Sequence, residues 1–137
     1  MDILELTNEL YKLSQLNWLD YTDEEQKSLN EKYMTLKDNF EIALQTVHEP
    51  TLLERIAQKD KAEFFMPVDT IFHIYQRLIQ LKPNDKTAYQ DFVFYLEFYG
   101  GLDWEEEANQ IKKYLSLDEM EKAFNIAISV DYDKYNK

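Results

Sequence analysis

The amino-acid sequence predicts an all-α fold of about six or seven helices, arranged as stacked helical hairpins or as an irregular bundle. Three observations lead to this prediction. Only two glycines and three prolines occur among 137 residues, and an all-β fold needs many more turn formers. Leu, Glu, Lys and Gln, which favour helices, are frequent. Apolar residues recur at spacings of three and four, the period of an amphipathic helix. The length fits one helical domain, 1–137.

Residues 1–49 predict an N-terminal helical hairpin. Its first helix covers about 2–16. Its second helix begins at a capping-box pattern, Thr22 with Glu25, and ends before Pro50, because proline disfavours a helical residue in front of it. The first helix has an apolar stripe of Ile3, Leu6, Leu10 and Leu13. The second helix has an apolar seam of Leu29, Tyr33, Leu36, Phe40, Ala43 and Val47.

Two helices are predicted over 50–82. The first is short, with a capping-box pair of Thr51 and Glu54 at its start, and the polar stretch 58–63 predicts a connector after it. Pro67 suits the first residue of the second helix. The apolar stripe of this second helix comprises Val68, Ile71, Phe72, Tyr75, Leu78 and Ile79.

The aromatic block from Ala88 to Tyr99 decides the fold class. Nine of its twelve residues are apolar or aromatic, and β-propensity alone favours a strand for DFVFYLEFY. We predict a helix, because the run is long for a strand and a lone strand would have nothing to pair with. A helix that is apolar all round must be covered on most sides, so we expect it to lie centrally. Gly100 is expected to stop it in a left-handed conformation.

Two further helices and a frayed tail are predicted for the rest of the chain. Asp103 is expected to be the N-cap of the first of these helices, and the second is expected to open at Ser116 or Asp118. The tail, 131–137, is expected to fray. The first helix carries an apolar stripe of Trp104, Ala108, Ile111 and Leu115, and the second a face of Met120, Ala123, Phe124 and Ala127.

Part of the chain, about 71–118, resembles a tetratricopeptide repeat. LIQLKPND is similar to the end of one repeat and KTAYQDFVFYLEFYGGLDWEEEA to the start of the next. Tyr89 lies where that family places a large aromatic residue, Phe92 where it places leucine, and Gly100 where the two helices of a unit turn. The resemblance implies a tetratricopeptide-like array of repeat-like helices over 50–130. It also implies binding of a peptide or protein in a groove, without catalysis.

The charge of the chain bounds its partners. It carries 27 acidic and 15 basic residues, and residues 1–50 hold eleven acids against four bases. A net charge of −12 repels phosphate backbones and anionic lipids, so we expect no nucleic-acid or membrane partner. A basic protein would be attracted. There is no cysteine, no secretory leader pattern and no apolar run of the length that spans a bilayer, so we expect a cytoplasmic protein.

No catalytic residue, metal site or cofactor is predicted. The two histidines, His48 and His73, lack the spacing of a zinc helix, and we expect them at a helix end and at the core margin. Neither the phosphate-binding nor the dinucleotide-binding glycine pattern occurs, and no serine lies in a nucleophile elbow. An enzyme with an unrecognised carboxylate site remains a third hypothesis, because function resides in sites and not in the fold class.

Two binding hypotheses rank above the enzyme hypothesis. The first is a non-catalytic scaffold or adaptor that binds a protein or peptide through exposed aromatic residues, for which the candidates are Tyr95, Phe98, Tyr99 and Trp104. The second is an acidic inhibitor, of the immunity-protein or antitoxin type, that masks a basic toxin or nuclease. Its candidate face comprises Asp20, Asp23, Glu24, Glu25 and Glu31. A homodimer formed through the long helical seam is compatible with all three hypotheses.

Overall fold

The chain is all-helical over residues 1–134, which are the residues that the computed structural model describes. This confirms the predicted fold class, and it confirms that the aromatic block is a helix. Two short 3₁₀ turns, Trp18–Asp20 and Tyr132–Lys134, flank the helices. The last three positions of the tail predicted to fray, 135–137, lie outside the described residues. The α-helices are α1 (Ile3–Ser14), α2 (Asp23–Leu44), α3 (Pro50–Glu63), α4 (Val68–Leu81), α5 (Lys86–Gly100), α6 (Glu105–Ser116) and α7 (Met120–Ser129).

Helices α1 and α2 pack against each other. The capping box at the start of α2 is confirmed, because Thr22 Oγ1 accepts from the Glu25 backbone and the Glu25 carboxylate accepts from Thr22 N. However, α2 ends at Leu44, earlier than predicted. Val47 is buried in the turn beyond the helix, where the Arg77 guanidinium donates to its carbonyl at 2.9 and 3.1 Å. His48 also lies beyond the helix end and contacts Arg77.

Helix α3 includes the polar stretch 58–63, so the predicted connector is wrong. The stretch is helical because it is amphipathic: its one fully buried residue, Asp60, faces inward. The predicted capping box of Thr51 and Glu54 is also wrong. Pro50 occupies the first helical position, so Glu49 is the N-cap, and it makes no side-chain capping bond.

The central helix is α4, which contacts α2, α3, α5 and α7 as well as the C-terminal 3₁₀ turn. The prediction that α5 lies centrally is therefore wrong. Its main partners are α4 and α6, and its outward positions Phe94 and Phe98 stay exposed. Pro67 is the N-cap of α4 and not its first helical residue as predicted, because the helix begins at Val68. Helix α7 contacts α4 as well as its neighbour α6, so the C-terminal helices pack as a bundle.

The turn between α5 and α6 depends on two adjacent glycines. Gly100 is the last residue of α5, and the left-handed φ of 53° belongs to Gly101. A Cβ on Gly100 would overlap the Trp104 ring, so only glycine fits there. Asp103 is not the N-cap of α6, because its backbone N–H closes the turn onto the Gly100 carbonyl and Trp104 takes the cap position.

The start of α7 also differs from the prediction. Ser116 is the last residue of α6, and Asp118 lies in the turn with a φ of 59°. Glu119 takes the N-cap position, without a side-chain capping bond. After α7, Tyr132 packs its ring 5.7 Å from both Phe72 and Trp104, so this part of the tail is anchored to the core.

A polar contact joins α2 to α4. The Glu41 carboxylate accepts from Thr70 Oγ1 at 2.9 Å and lies 2.9 Å from His73 Nδ1. Lys37 and Asp69 form a second link, with 2.7 Å between Nζ and Oδ2. The hydrogen bond to Glu41 raises the pKa of His73 above its ordinary value, and partial burial opposes this effect. The imidazolium therefore helps to hold the N-terminal hairpin against the centre of the fold.

We expect His73 to make folding stability depend on pH. Because its folded-state pKa is raised, the stabilisation is fully present below the unfolded value of about 6.5 and is lost as pH rises through the folded value. Urea unfolding of the wild type and of His73→Gln should be compared at about pH 6 and about pH 9. The difference between the two proteins should shrink at the higher pH. An equal difference at both values would contradict this role of the imidazolium.

Candidate functional site

Four aromatic side chains form a continuous surface on α5 and the loop that follows α3, and we call them the aromatic surface: Phe64, Phe94, Phe98 and Tyr99. Three of them are large exposed apolar groups, with exposed fractions of 44% for Phe64, 41% for Phe94 and 57% for Phe98. The Phe98 ring stacks on Phe64 at 5.2 Å and on Phe94 at 5.7 Å between centroids. Tyr99 meets Phe98 edge-on at 4.9 Å. The rings thus support one another outside the core.

The helical period of α5 divides its aromatic residues between core and surface. Phe94 and Phe98 are four residues apart and lie on the outer side of the helix, where neither α4 nor α6 covers them. Tyr95 and Tyr99 occupy the adjacent row, and their rings stack at 5.7 Å. Tyr95 is fully buried, whereas Tyr99 is half-buried. Covering one side of an all-apolar helix therefore leaves a second aromatic row at the solvent.

Phe64 reaches this surface through an uncommon backbone conformation. It ends α3 with φ 49° and ψ 66°, the left-handed region that bulky residues rarely occupy. The buried carboxylate of Asp60 holds the residues that follow: its Oδ1 accepts from Phe65 N at 2.9 Å and from Met66 N at 2.7 Å. Its Oδ2 accepts from the Tyr95 hydroxyl at 2.8 Å. One side chain thus fixes the loop and ties it to α5.

The electrostatics of Asp60 follow from its burial. Burial raises the pKa of this carboxyl, and the hydrogen bonds from Met66, Tyr95 and Phe65 oppose that rise. Burial also raises the pKa of Tyr95, and the bond to Asp60 adds to it, so the phenol stays protonated as a donor. Both carboxylate oxygens are occupied by donors of the chain itself. The group is thereby explained as a loop anchor.

The predicted aromatic contact residues divide into two pairs. Phe98 is exposed and Tyr99 is half-buried, and the structure brings them together on the aromatic surface. The expectation that Tyr95 and Trp104 offer contact area is wrong, because their exposed fractions are 0% and 2%. Trp104 is buried because it packs at 5.1 Å against Phe72, in the core.

Sequence reasoning missed Phe64 and Phe94. Phe94 lies one turn before Phe98, so the helical period alone could have indicated it. The position of Phe64 depends on the fold of the loop around Asp60, which no local pattern indicates.

The predicted acidic residues all lie at the surface. Asp20 belongs to the first 3₁₀ turn, and Asp23, Glu24 and Glu25 form the first turn of α2. Hydrogen bonds from Thr22 lower the pKa of Glu25, so this carboxylate also serves as part of a helix cap. No residue over 23–35 is fully buried, although Leu29 and Tyr33 pack partly against the core, so the other faces of this half of α2 are exposed.

Glu31 lies apart from these acids, two turns further along α2. It lines an open groove of about 780 Å³ between α1 and α2, together with the buried Leu6 and Leu36. The structure therefore groups four of the five predicted acids and separates the fifth from them.

Within residues 1–134, no group of three or more His, Asp or Glu side chains could hold a metal ion. No helix in that range combines the length and the apolar character needed to cross a membrane.

Replacing Asp60 should distinguish its role as an acceptor from its charge. Asp60→Ala leaves two buried N–H groups and the Tyr95 hydroxyl unpaired, which should lower the free energy of unfolding by about 3 kcal/mol. Asp60→Asn keeps an acceptor oxygen and removes a buried charge, so it should cost about 1 kcal/mol or less. Urea unfolding measures both values. Equal losses would show that the charge, and not the hydrogen bonding, is what matters.

Comparison with protein-family models, with curated proteins and with solved structures finds no match for this chain. The resemblance to tetratricopeptide repeats rests on the residues of 71–118 alone. Inference about function therefore starts from the two exposed features: the aromatic surface and the acidic start of α2.

Proposed function

We propose that this chain is a non-catalytic, cytoplasmic helical scaffold that binds a protein or peptide through the aromatic surface. The observation that carries this proposal is the exposure of three phenylalanine rings, in which Phe98 stacks on both Phe64 and Phe94. Single exposed apolar residues are normal on a protein surface, whereas a continuous apolar patch marks an interaction site. Aromatic residues are also enriched where interfaces are most deeply buried.

The support beneath the rings favours binding over accidental exposure. Phe64 is held by its stacking on Phe98 and by the Asp60 anchor of its loop. Rings that are already ordered lose little conformational freedom when a partner covers them, so more of the contact energy appears as affinity. A left-handed phenylalanine also stores backbone strain, and such strain is frequently found where a side chain is displayed for function.

The resemblance to tetratricopeptide repeats supports the same class of function. It covers α5, whose outer row supplies Phe94 and Phe98. That family resemblance implies recognition of a peptide or protein. The partner class is therefore the same whether it is inferred from the resemblance or from the exposed rings.

The aromatic surface can be tested with one substitution and a matched control. Phe98→Ser removes the ring that contacts all the others, whereas Ile42→Ser removes a 69% exposed apolar side chain on α2. A partner isolated from native extract and then purified should bind Phe98→Ser about 30-fold more weakly by calorimetry, as for a central interface residue. Ile42→Ser should bind as the wild type does.

Unchanged affinity in Phe98→Ser, or an equal loss in both variants, would contradict the proposal. Light scattering with size exclusion should accompany the calorimetry. Self-association that Phe98→Ser abolishes would identify a second copy of the chain as the occupant of this surface.

An acidic inhibitor is the second candidate function, and the exposure of the α2 start favours it. Asp20, Asp23 and Glu24 lie together at the surface and have no basic partner among the ion pairs of residues 1–134. Such a patch would steer a basic toxin or nuclease toward the chain and cover its active site.

Salt dependence separates the two candidates. For an inhibitor, Asp20→Asn with Asp23→Asn should slow association with the purified partner about tenfold at low salt, and this effect should vanish at high salt. Glu105→Gln with Glu106→Gln removes the same charge from the exposed start of α6 and serves as the control. Stopped-flow association rates measure both. Equal effects of the two pairs would show that only net charge matters.

A further inference from the structure

A small cleft lies where α3, α4 and α5 meet. Its volume is about 40 Å³, and small side chains such as Ala57 and Ala88 form part of its walls. Tyr75 lines the cleft from the central helix, and Asp91 lines it from α5. Because a water molecule needs roughly 10–15 Å³ measured in this way, the cleft has room for a small polar group and is too small for a bulky one.

The hydroxyl of Tyr75 indicates that the cleft is a ligand site. Tyr75 is only 1% exposed, and its Oη has no hydrogen-bond partner among residues 1–134. The two other tyrosines of similar burial are both satisfied: the hydroxyl of Tyr89 donates to the Pro83 carbonyl at 2.7 Å, and that of Tyr95 donates to Asp60 at 2.8 Å. Buried polar groups are almost always paired, so the unpaired hydroxyl calls for a partner from outside the chain.

The charges around the cleft specify the sign of that partner. Three carboxylates line it, from Glu54, Asp85 and Asp91. Lys82 pairs with Glu54 at 3.6 Å and with Asp85 at 3.2 Å, and Lys61 pairs with Asp91 at 3.1 Å. Three negative charges are therefore matched by two positive ones. A single added positive charge would balance the group.

We propose that this cleft binds a primary ammonium group, the lysine side chain of a bound protein or peptide. The ε-ammonium would donate to Tyr75 Oη and to the Asp91 carboxylate, whose Oδ1 also accepts from Lys61. A lysine fits because its stem is slender and its charge compact, whereas the planar guanidinium of arginine needs more room. Burial keeps the Tyr75 pKa well above its ordinary value, so the neutral phenol remains available as an acceptor.

The cleft and the aromatic surface are neighbours. Asp91 and Phe94 lie one turn apart on α5, and Lys61 contacts both, with its Nζ 5.8 Å from the Phe94 ring centroid. A partner with an apolar segment beside a lysine could therefore contact both features at once. The inference rests on the proposed binding function for the source of the lysine, while the cleft itself can be tested with a free probe.

The probe is N-acetyl-lysine-N-methylamide, titrated into the ¹⁵N-labelled protein at constant ionic strength. Saturable amide shifts should appear at Ala57 and Ala88, the walls of the cleft. The norleucine analogue has the same stem without the charge and should cause no such shift, and the arginine analogue should cause none either. Glycinamide carries an α-amino group and so tests the N-terminus of a partner as an alternative source of the amine. It should also cause no amide shift at the cleft.

Substitutions of the cleft residues test whether the probe binds at Tyr75 and Asp91. Tyr75→Phe and Asp91→Asn should each weaken the probe about tenfold, since each removes a hydrogen bond to a charged group. Phe98→Ser should bind the probe as the wild type does, so that failure at the aromatic surface and failure at the cleft give different results. Tyr75→Phe should unfold at a urea midpoint no lower than that of the wild type, because no protein hydrogen bond is lost. Tyr89→Phe, the matched control, should unfold at a lower midpoint.

Three results would overturn the proposal. Equal shifts from the lysine and norleucine analogues would show that the stem alone enters the cleft. Full affinity in Tyr75→Phe would show that the hydroxyl plays no part in binding. A lower urea midpoint in Tyr75→Phe would show that a bound water already satisfies this hydroxyl in the free protein.

Discussion

The buried carboxylate of Asp60 is the constraint on which this surface depends. It closes the end of α3, orders Phe65 and Met66 ahead of α4, and reaches α5 through the Tyr95 hydroxyl. A charged group in an apolar core is unfavourable unless donors surround it, and here the loop backbone supplies two of them. The same bonds that stabilise the carboxylate also fix the neighbouring Phe64 at the solvent. The hydrogen bonds of Asp60 therefore stabilise the fold and also keep Phe64 exposed in this part of the molecule.

The exposure of aromatic rings follows from where α5 lies. An apolar helix can be fully hidden only if neighbours cover every side, and α5 packs chiefly on α4 and α6. α4 takes the central position, with α2, α3 and α7 around it. The side chains in the outer row of α5 must then either remain exposed to solvent or be covered by a partner. A net charge of −12 keeps the rest of the surface around the exposed Phe94 and Phe98 well solvated.

The sequence predicts those features that depend on local periodicity, and it fails where distant residues decide. Helices with a clear stripe and a good cap, such as α2 with Thr22, follow from spacing and side-chain chemistry alone. The helical state of 58–63 cannot be predicted in this way. The buried side of this stretch is a single polar residue, Asp60, whose partner Tyr95 is 35 positions away in sequence. Likewise Asp103 has a suitable side chain for a cap, but packing of Trp104 on the core sets where α6 begins. The sequence predicts the aromatic surface only in part for the same reason.

Two tyrosines of the core connect the fold with the cleft and with the aromatic surface. Tyr75 and Tyr95 lie with ring centroids 5.3 Å apart, and they differ in what their hydroxyls meet. Tyr95 meets Asp60, an anchor that belongs to the chain, and so its polar end strengthens the fold. Tyr75 lines the cleft together with Asp91, and its hydroxyl makes no hydrogen bond to any group of residues 1–134. A phenylalanine would fill the same volume at Tyr75 without an unpaired group. The proposed lysine ligand would give this hydroxyl the hydrogen-bond partner that residues 1–134 do not supply.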